Sequence, residues 1–309
     1  MLSRTAENLY WMARFMERAG ATARLIEMGQ RMAVLPRSYS QEEWRSVAVA
    51  AGCIHLFEDE PVVDEAAIIR TLMLDKDTPS SISSCLERAR SNGRSVRTAL
   101  TRDVWEVLNE GWRMLEGTDA ATAQRDLPAL LDLVKQRAAL FRGAAASSML
   151  RTDRYDFVMI GTHVERADTT LRLLDVKYHV LLPETEVVGG GRDHHQWTSV
   201  LHATSAMRAF HHVYRGDYSP SKITDFLILN DAFPRSLAFC YDEIGLHLQK
   251  LARSYGQEHE CHATVASMIS RLDDLEMGEL FQHGLHEFIL EAMAVTRKLS
   301  SEIYRAYYF

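Results

Sequence analysis

Leu2-Ser-Arg-Thr-Ala-Glu-Asn-Leu-Tyr-Trp-Met-Ala-Arg-Phe-Met-Glu-Arg-Ala-Gly20 opens the chain and runs on through Ala23-Arg24-Leu25-Ile26-Glu27 to Met28. The stretch has no proline and one late glycine. Its apolar residues Leu9, Met12, Met16, Ala19, Ala23 and Ile26 stand three or four apart, as on one face of a helix. Glu7, Tyr10, Arg14, Glu17, Ala21 and Arg24 recur at the same spacing on the opposite side. One long amphipathic helix is predicted. Its charged stripe is either a solvated face laced with local ion pairs or an ordered layer against a partner.

The pattern recurs. Arg151 to Tyr178 contains Phe157, Ile160, Val164, Ala167, Leu171 and Leu174, which coincide with the first apolar set after a shift of 148. Glu17-Arg18-Ala19 with Arg24 becomes Glu165-Arg166-Ala167 with Arg172, and Glu87, Arg88, Ala89 and Arg94 give the signature a third time. Further along, Trp44-Arg-Ser-Val matches Trp197-Thr-Ser-Val at a shift of 153, and Leu74, Pro79 and Cys85 match Leu229, Pro234 and Cys240 at a shift of 155. A tandem duplication with loop insertions produces such a drift. The expected fold is therefore an all-α helical bundle of two repeats, residues 1-148 and 149-309, related by a pseudo-twofold axis and packed as one continuous domain.

The seven prolines, at 36, 61, 79, 128, 183, 220 and 234, punctuate helical patterns. Helices are expected over Trp44 to Phe57, Asp64 to Leu74, Ser80 to Leu100, Trp105 to Leu115, Leu127 to Phe141 and Arg235 to Leu251. Asp77-Thr78-Pro79 reads as a cap followed by proline at the first helical position. In the stretch from Arg235 the charged signature has decayed to Asp242-Glu243-Ile244, with Gln249 where an arginine would stand. No strand alternation occurs.

A net charge of −7, with no sustained Lys/Arg block and an acidic run at Glu58-Asp59-Glu60, argues against nucleic acid. Arg4, Glu7, Arg14 and Glu17 interrupt any signal-peptide core, and no segment approaches the ~20 apolar residues of a membrane span. Cys53, Cys85, Cys240 and Cys261 are scattered, as in a reducing compartment, so a cytoplasmic protein is expected. The aromatic end Tyr304-Arg-Ala-Tyr-Tyr-Phe309 is expected to dock back on the bundle or against another chain, including a second copy.

Glu17 and Arg24 are seven residues apart, ~10.5 Å along one helix, too far for a direct bond. Reciprocal pairing across the copies, Glu17 with Arg172 and Glu165 with Arg24, is the expectation. Such a layer either fixes the register of the bundle or offers grouped guanidiniums to a carboxylate or phosphate. Other chemistry is weak. His194-His195 and His211-His212 lack a carboxylate at ligand spacing, and His283 with Glu287 is an isolated pair, so neither metal nor cofactor is expected. Gly189-Gly190-Gly191-Arg192 lacks the rest of a P-loop, and no nucleophile signature is present.

Leu2-Ser-Arg-x-Ala-Glu-x-Leu-Tyr-Trp, Glu17-Arg18-Ala19, Ala23-Arg24-Leu25, Glu165-Arg166-Ala167-Asp168, Leu174-Asp-Val-Lys-Tyr-His179 and Phe233-Pro-Arg-Ser236 together resemble the bacterial alpha-E family. The resemblance covers essentially the whole chain. It implies an all-helical protein of uncharacterised function, typically encoded beside or fused to a circularly permuted ATP-grasp ligase and often near a transglutaminase-like peptidase. A role in peptide or amide-bond modification follows from that setting. The family's Glu-Arg signature falls on Glu17, Arg18, Arg24, Glu165, Arg166 and Arg172. Gly20 departs from the acidic residue expected after Glu-Arg-Ala, which Asp168 supplies in the second copy. The resemblance therefore implies a helical accessory partner of such a ligase. The alternative is an enzyme of the same pathway, with Glu17 or Glu165 as general acid or base.

Overall fold

The computed structural model describes residues 3–33, 40–60, 62–179, 191–278, 280 and 284–307. Leu2, Leu35-Pro36, Pro61, Pro183, Gly189-Gly190, His283 and Phe309 lie outside the described residues. Every regular element within them is helical, and no strand occurs among them. In order these are α1 (Ser3–Met32), α2 (Ser40–Ala50), α3 (Glu65–Ile68), α4 (Ile82–Ser95), α5 (Arg102–Leu115), α6 (Ala120–Arg125), α7 (Leu127–Ser148) and α8 (Asp153–His179). There follow α9 (Gly191–Ala203), α10 (Met207–Tyr214), α11 (Pro220–Ile228), α12 (Leu237–Tyr255), α13 (Glu260–Asp273) and α14 (Leu285–Tyr307). α3 runs directly into a π-helical turn, Ile69–Leu74.

The opening stretch forms α1 as its periodicity predicts, but its polar face is not solvated. From Leu9 to Met32 most positions are buried, Arg14 and Glu17 included. α1 packs against α8, α4 and α7, while α8 packs against α1, α12 and α14. The partners at the crossing advance together along both helices, Tyr10 against Gly161 and then Arg14 with Glu165. α1 and α8 thus lie side by side in the same sense. Gly161 makes this approach possible, because a Cβ there would overlap the Tyr10 carbonyl oxygen. Shorter helices are exchanged across the central pair: α2 lies on α8 and α9 lies on α1.

Several boundaries differ from the sequence reading: α4 ends at Ser95 rather than Leu100, α5 starts at Arg102, α12 runs to Tyr255, and three more have a visible cause. The helix expected over Trp44 to Phe57 stops at Ala50, because Gly52 takes a left-handed φ of 73°, and only a short 3-10 turn, Ile54–Phe57, follows. Pro79 is not the first helical residue. Ser81 caps α4 instead, its Oγ accepting from the Ser84 amide and donating to the Asp75 carbonyl. α7 extends a further two turns, to Ser148, with Pro128 in its first turn.

Candidate functional site

α1 and α8 bring their Glu-Arg dipeptides face to face. Glu165 accepts from Arg14 Nε at 2.7 Å and, through both oxygens, from Arg18 at 2.5 and 2.9 Å. Glu17 accepts from Arg166 Nε at 3.1 Å, from Arg235 at 3.1 Å and from Arg142 at 2.8 Å. Each glutamate therefore binds the arginine adjacent to the other glutamate. The two carboxylate side chains are 5% and 3% exposed, so these pairs are desolvated as well as short. Burial alone would raise a carboxyl pKa. Here Arg166, Arg235 and Arg142 hold Glu17 well below the usual range, and Arg18 with Arg14 does the same for Glu165.

The surroundings hold the arginines in place. Tyr10 and Ser300 accept from Arg14 Nη1 at 3.2 and 2.6 Å, and the Arg14 guanidinium lies 4.8 Å from the Trp11 ring centroid. Arg166 also donates to the Pro234 carbonyl at 2.9 Å. Two threonines tie the central helices to the loops before α4 and α12: Thr22 donates to the Ser80 carbonyl at 2.8 Å and Thr170 to the Arg235 carbonyl at 2.7 Å.

Arg24 and Arg172 take other partners than the sequence suggests. Arg172 donates to Asp168 in its own helix at 2.6 Å and across to the Ala50 carbonyl at the end of α2 at 3.0 Å. Arg24 donates to Ser205, just past the end of α9, at 2.9 Å, and forms no salt bridge among the described residues, Gly20 standing where Asp168 would be. The pairs Glu17–Arg172 and Glu165–Arg24 are therefore replaced by Glu17–Arg166 and Glu165–Arg18. The cause is the close crossing at Gly161, which puts each glutamate opposite the neighbouring dipeptide and carries the later arginines beyond reach.

The remaining candidates separate. Glu87, Arg88 and Arg94 are exposed on α4; Glu87 meets Lys76 at 3.6 Å, and Arg88 sits 5.8 Å from the Phe15 ring centroid. This third copy of the signature stays outside the layer because no second copy faces it. Glu7 is half-buried near the start of α1 and makes no ion pair among the described residues. His195 contacts the Arg31 carbonyl and His211 the Tyr218 hydroxyl. Among the described residues no group of three or more His, Cys, Asp or Glu is arranged to hold a metal ion. Nor is any helix of these residues long and apolar enough to cross a membrane.

Arg142 and Arg235, two of the three cations on Glu17, are not among the candidate site residues read from the sequence, although Arg235 lies within the Phe233-Pro-Arg-Ser236 motif. Arg235 follows Pro234 in the loop where the first half has Ser80 after Pro79, so the motif names the residue but not its partner. Arg142 sits on an ordinary amphipathic helix and carries no local signal. Together they leave one carboxylate facing three guanidiniums, with Arg24 close enough to add repulsion. Burial, then that like charge, pushes Arg235 down to about 9, and Glu17 only partly offsets it.

Two cavities flank the layer. One, of about 340 Å³, lies beside Glu165 and is lined by Arg18, Thr22, His55, Asp168 and Arg172. The other, of about 250 Å³, lies on the Glu17 side between α7, α8 and α12, with Arg142, His163, Arg166 and Glu243 in its wall.

Comparison with known proteins adds the following. A family model described as Alpha-E, a predicted alpha-helical domain with a conserved ER motif, matches residues 1–308. An uncharacterised protein of Mycobacterium bovis is 24% identical over 324 aligned positions, covering 94% of this chain and 35% of its own length. Uncharacterised proteins from two strains of Mycobacterium tuberculosis, CDC 1551 and H37Rv, match with the same identity and coverage. The chain thus spans about a third of the length of these curated relatives. No solved structure matches.

Proposed function

The chain belongs to the Alpha-E family, and from that premise we propose that it is a non-catalytic helical partner of an ATP-grasp-type ligase in a peptide- or amide-modifying system. The observation that carries this is the coverage of the relatives. A domain matching 94% of this chain makes up 35% of theirs, so in those proteins it works joined to a much larger body of sequence. A helical module joined to a larger body of sequence fits a partner of such a ligase. A transglutaminase-like peptidase is the second candidate to be captured with it, and the cytoplasm, where ATP is at hand, is the proposed compartment.

In this reading the Arg/Glu layer is a lock between two repeats, residues 1-148 and 149-309. Contacts that recur across the halves support the duplication. Glu17 on Arg166 is repeated by Glu165 on Arg18, Thr22 on Ser80 by Thr170 on Arg235, and Ser81 on the Asp75 carbonyl by Ser236 on the Asn230 carbonyl. An enzyme acting through Glu17 or Glu165 is the weaker alternative, since a general acid needs a proton near neutral pH and both carboxylates are held ionised by saturating guanidiniums.

Co-purification tests the proposal. The chain is mixed with the ATP-grasp ligase from the same source, and Arg24→Ala and Arg172→Ala forms are compared after circular dichroism has shown them folded. A complex with the native chain is the expected result, and loss of it in a folded variant would put the edge of the layer at the interface. Absence of any complex between the native chain and the ligase would overturn the assignment.

A further inference from the structure

The cavity beside Glu17 is built with opposite charge at its two ends and an unsatisfied imidazole between them. At one end Arg142 and Arg166 are two of the three guanidiniums that share the single Glu17 carboxylate, so positive charge is in excess there. At the other, Glu243 pairs with no Lys or Arg among the described residues. Its Oε2 is 3.7 Å from His163 Nε2 and 3.8 Å from His247 Nε2, beyond hydrogen-bond length. His247 is turned away toward Asp156, which its Nδ1 meets at 2.7 Å.

His163 is the second sign of a missing group. Its side chain is 3% exposed, it lines the cavity, and neither ring nitrogen has a hydrogen-bond partner. Burial, with the charge of Arg166 adding to it, holds the imidazole well below its usual pKa, so it is neutral and offers one N–H and one lone pair. A buried polar side chain left unpaired carries a desolvation penalty that a bound molecule able to hydrogen-bond there would remove. The remaining wall is mostly apolar, with Phe141, Val158 and Phe239 beside Tyr155 and Thr162. An apolar pocket with a few convergent polar groups is the usual form of a small-molecule site.

We propose that this cavity binds a free α-amino acid with an apolar side chain, its carboxylate on Arg142, Arg166 and the His163 N–H, and its ammonium on Glu243. The side chain lies against Phe141, Val158 and Phe239. A zwitterion answers both unbalanced ends at once, whereas a simple anion leaves Glu243 unpaired and a simple cation faces the arginines. At about 250 Å³ the cavity has the liquid volume of ~8 waters, room for a side chain as large as that of phenylalanine. The site is separate from the ligase-partner reading, and its test uses the chain alone.

Titration calorimetry with L-phenylalanine, 3-phenylpropanoate and phenethylamine provides the test, the last two lacking the ammonium and the carboxylate respectively. Saturable 1:1 binding of L-phenylalanine is expected, at least about tenfold tighter than either analogue. Glu243→Gln should weaken L-phenylalanine to the level of 3-phenylpropanoate while leaving 3-phenylpropanoate unchanged. Ala146→Trp, at the cavity wall, should remove binding of all three. Absence of saturable binding, equal affinity for L-phenylalanine and 3-phenylpropanoate, or undiminished binding by Glu243→Gln would each overturn the proposal. The analogue comparison is made on the native chain, so it stands even where a variant fails to fold.

Discussion

Replacing Glu17 by glutamine keeps the shape of the side chain and removes only its charge, leaving Arg142, Arg166 and Arg235 around a neutral amide. Removing one partner of a buried ion pair typically costs ~3–5 kcal/mol, because the remaining charge is left desolvated and uncompensated. Here three cations lose the one carboxylate with which each forms a salt bridge among the described residues. Arg166 and Arg235, with side chains 7% and 13% exposed, can recover little solvation, while Arg142 at 27% can turn outward and recover more. The expected loss is therefore ~4 kcal/mol, a large share of the ~5–15 kcal/mol that holds a typical domain folded. Urea unfolding followed by far-ultraviolet circular dichroism reads it directly. Glu106→Gln, which breaks the exposed Arg102–Glu106 pair, should cost no more than ~0.5 kcal/mol and serves as control.

The pH dependence gives an independent check. Glu17 is depressed below its ordinary value of 4.5, so its contribution is fully present above pH 4.5 and is lost as pH falls through the folded pKa. The gap between native protein and Glu17→Gln should thus be widest near neutrality and narrow in acid. A loss below about 1 kcal/mol at neutral pH, the size of a surface pair, would refute the claim that this layer locks α1 to α8, and so would a gap that does not narrow in acid.

Other consequences are as direct. Gly161→Ala drives a methyl into the Tyr10 carbonyl and should cost at least ~1–3 kcal/mol by the same unfolding assay, whereas Gly143→Ala, with open space at its Cβ, should be neutral or stabilising. Arg172→Ala removes bonds to Asp168 and to the α2 carbonyl end and should destabilise by ~1 kcal/mol, while Arg24→Ala removes like-charge repulsion on Arg235 together with the bond to Ser205 and an attraction to Glu17, and should change stability by less than ~0.5 kcal/mol. Cys53, Cys85, Cys240 and Cys261 are buried free thiols, each pushed up to about 12 by burial, so iodoacetamide should label them only on unfolding.

Why the sequence foretells the helices but misassigns the partners is a matter of dimension. Leu9, Met12, Met16 and their counterparts Phe157, Ile160 and Val164 mark buried faces because helical period is a one-dimensional signal. The break at Gly52 is harder to see, since a glycine inside an apolar run announces a left-handed turn only when the next helix does not continue. Which arginine meets which glutamate depends on how closely and at what offset two helices cross, and nothing within either helix states that. Gly161 states it only in retrospect, as the position where α1 and α8 touch through backbone.

That close crossing also explains why the signature is Glu next to Arg rather than Glu and Arg a turn apart. Two helices lying side by side in the same sense, each carrying Glu-Arg at the contact, place the Glu of one opposite the Arg of the other on both sides of the contact. One dipeptide, facing its own copy, makes two buried pairs and fixes the axial register, since a slide of one turn would set each carboxylate against the wrong partner. Glu87-Arg88 has the same two residues and no facing copy, and there the charges remain in water. What the motif specifies is therefore a relation between two helices, and an isolated dipeptide carries none of it.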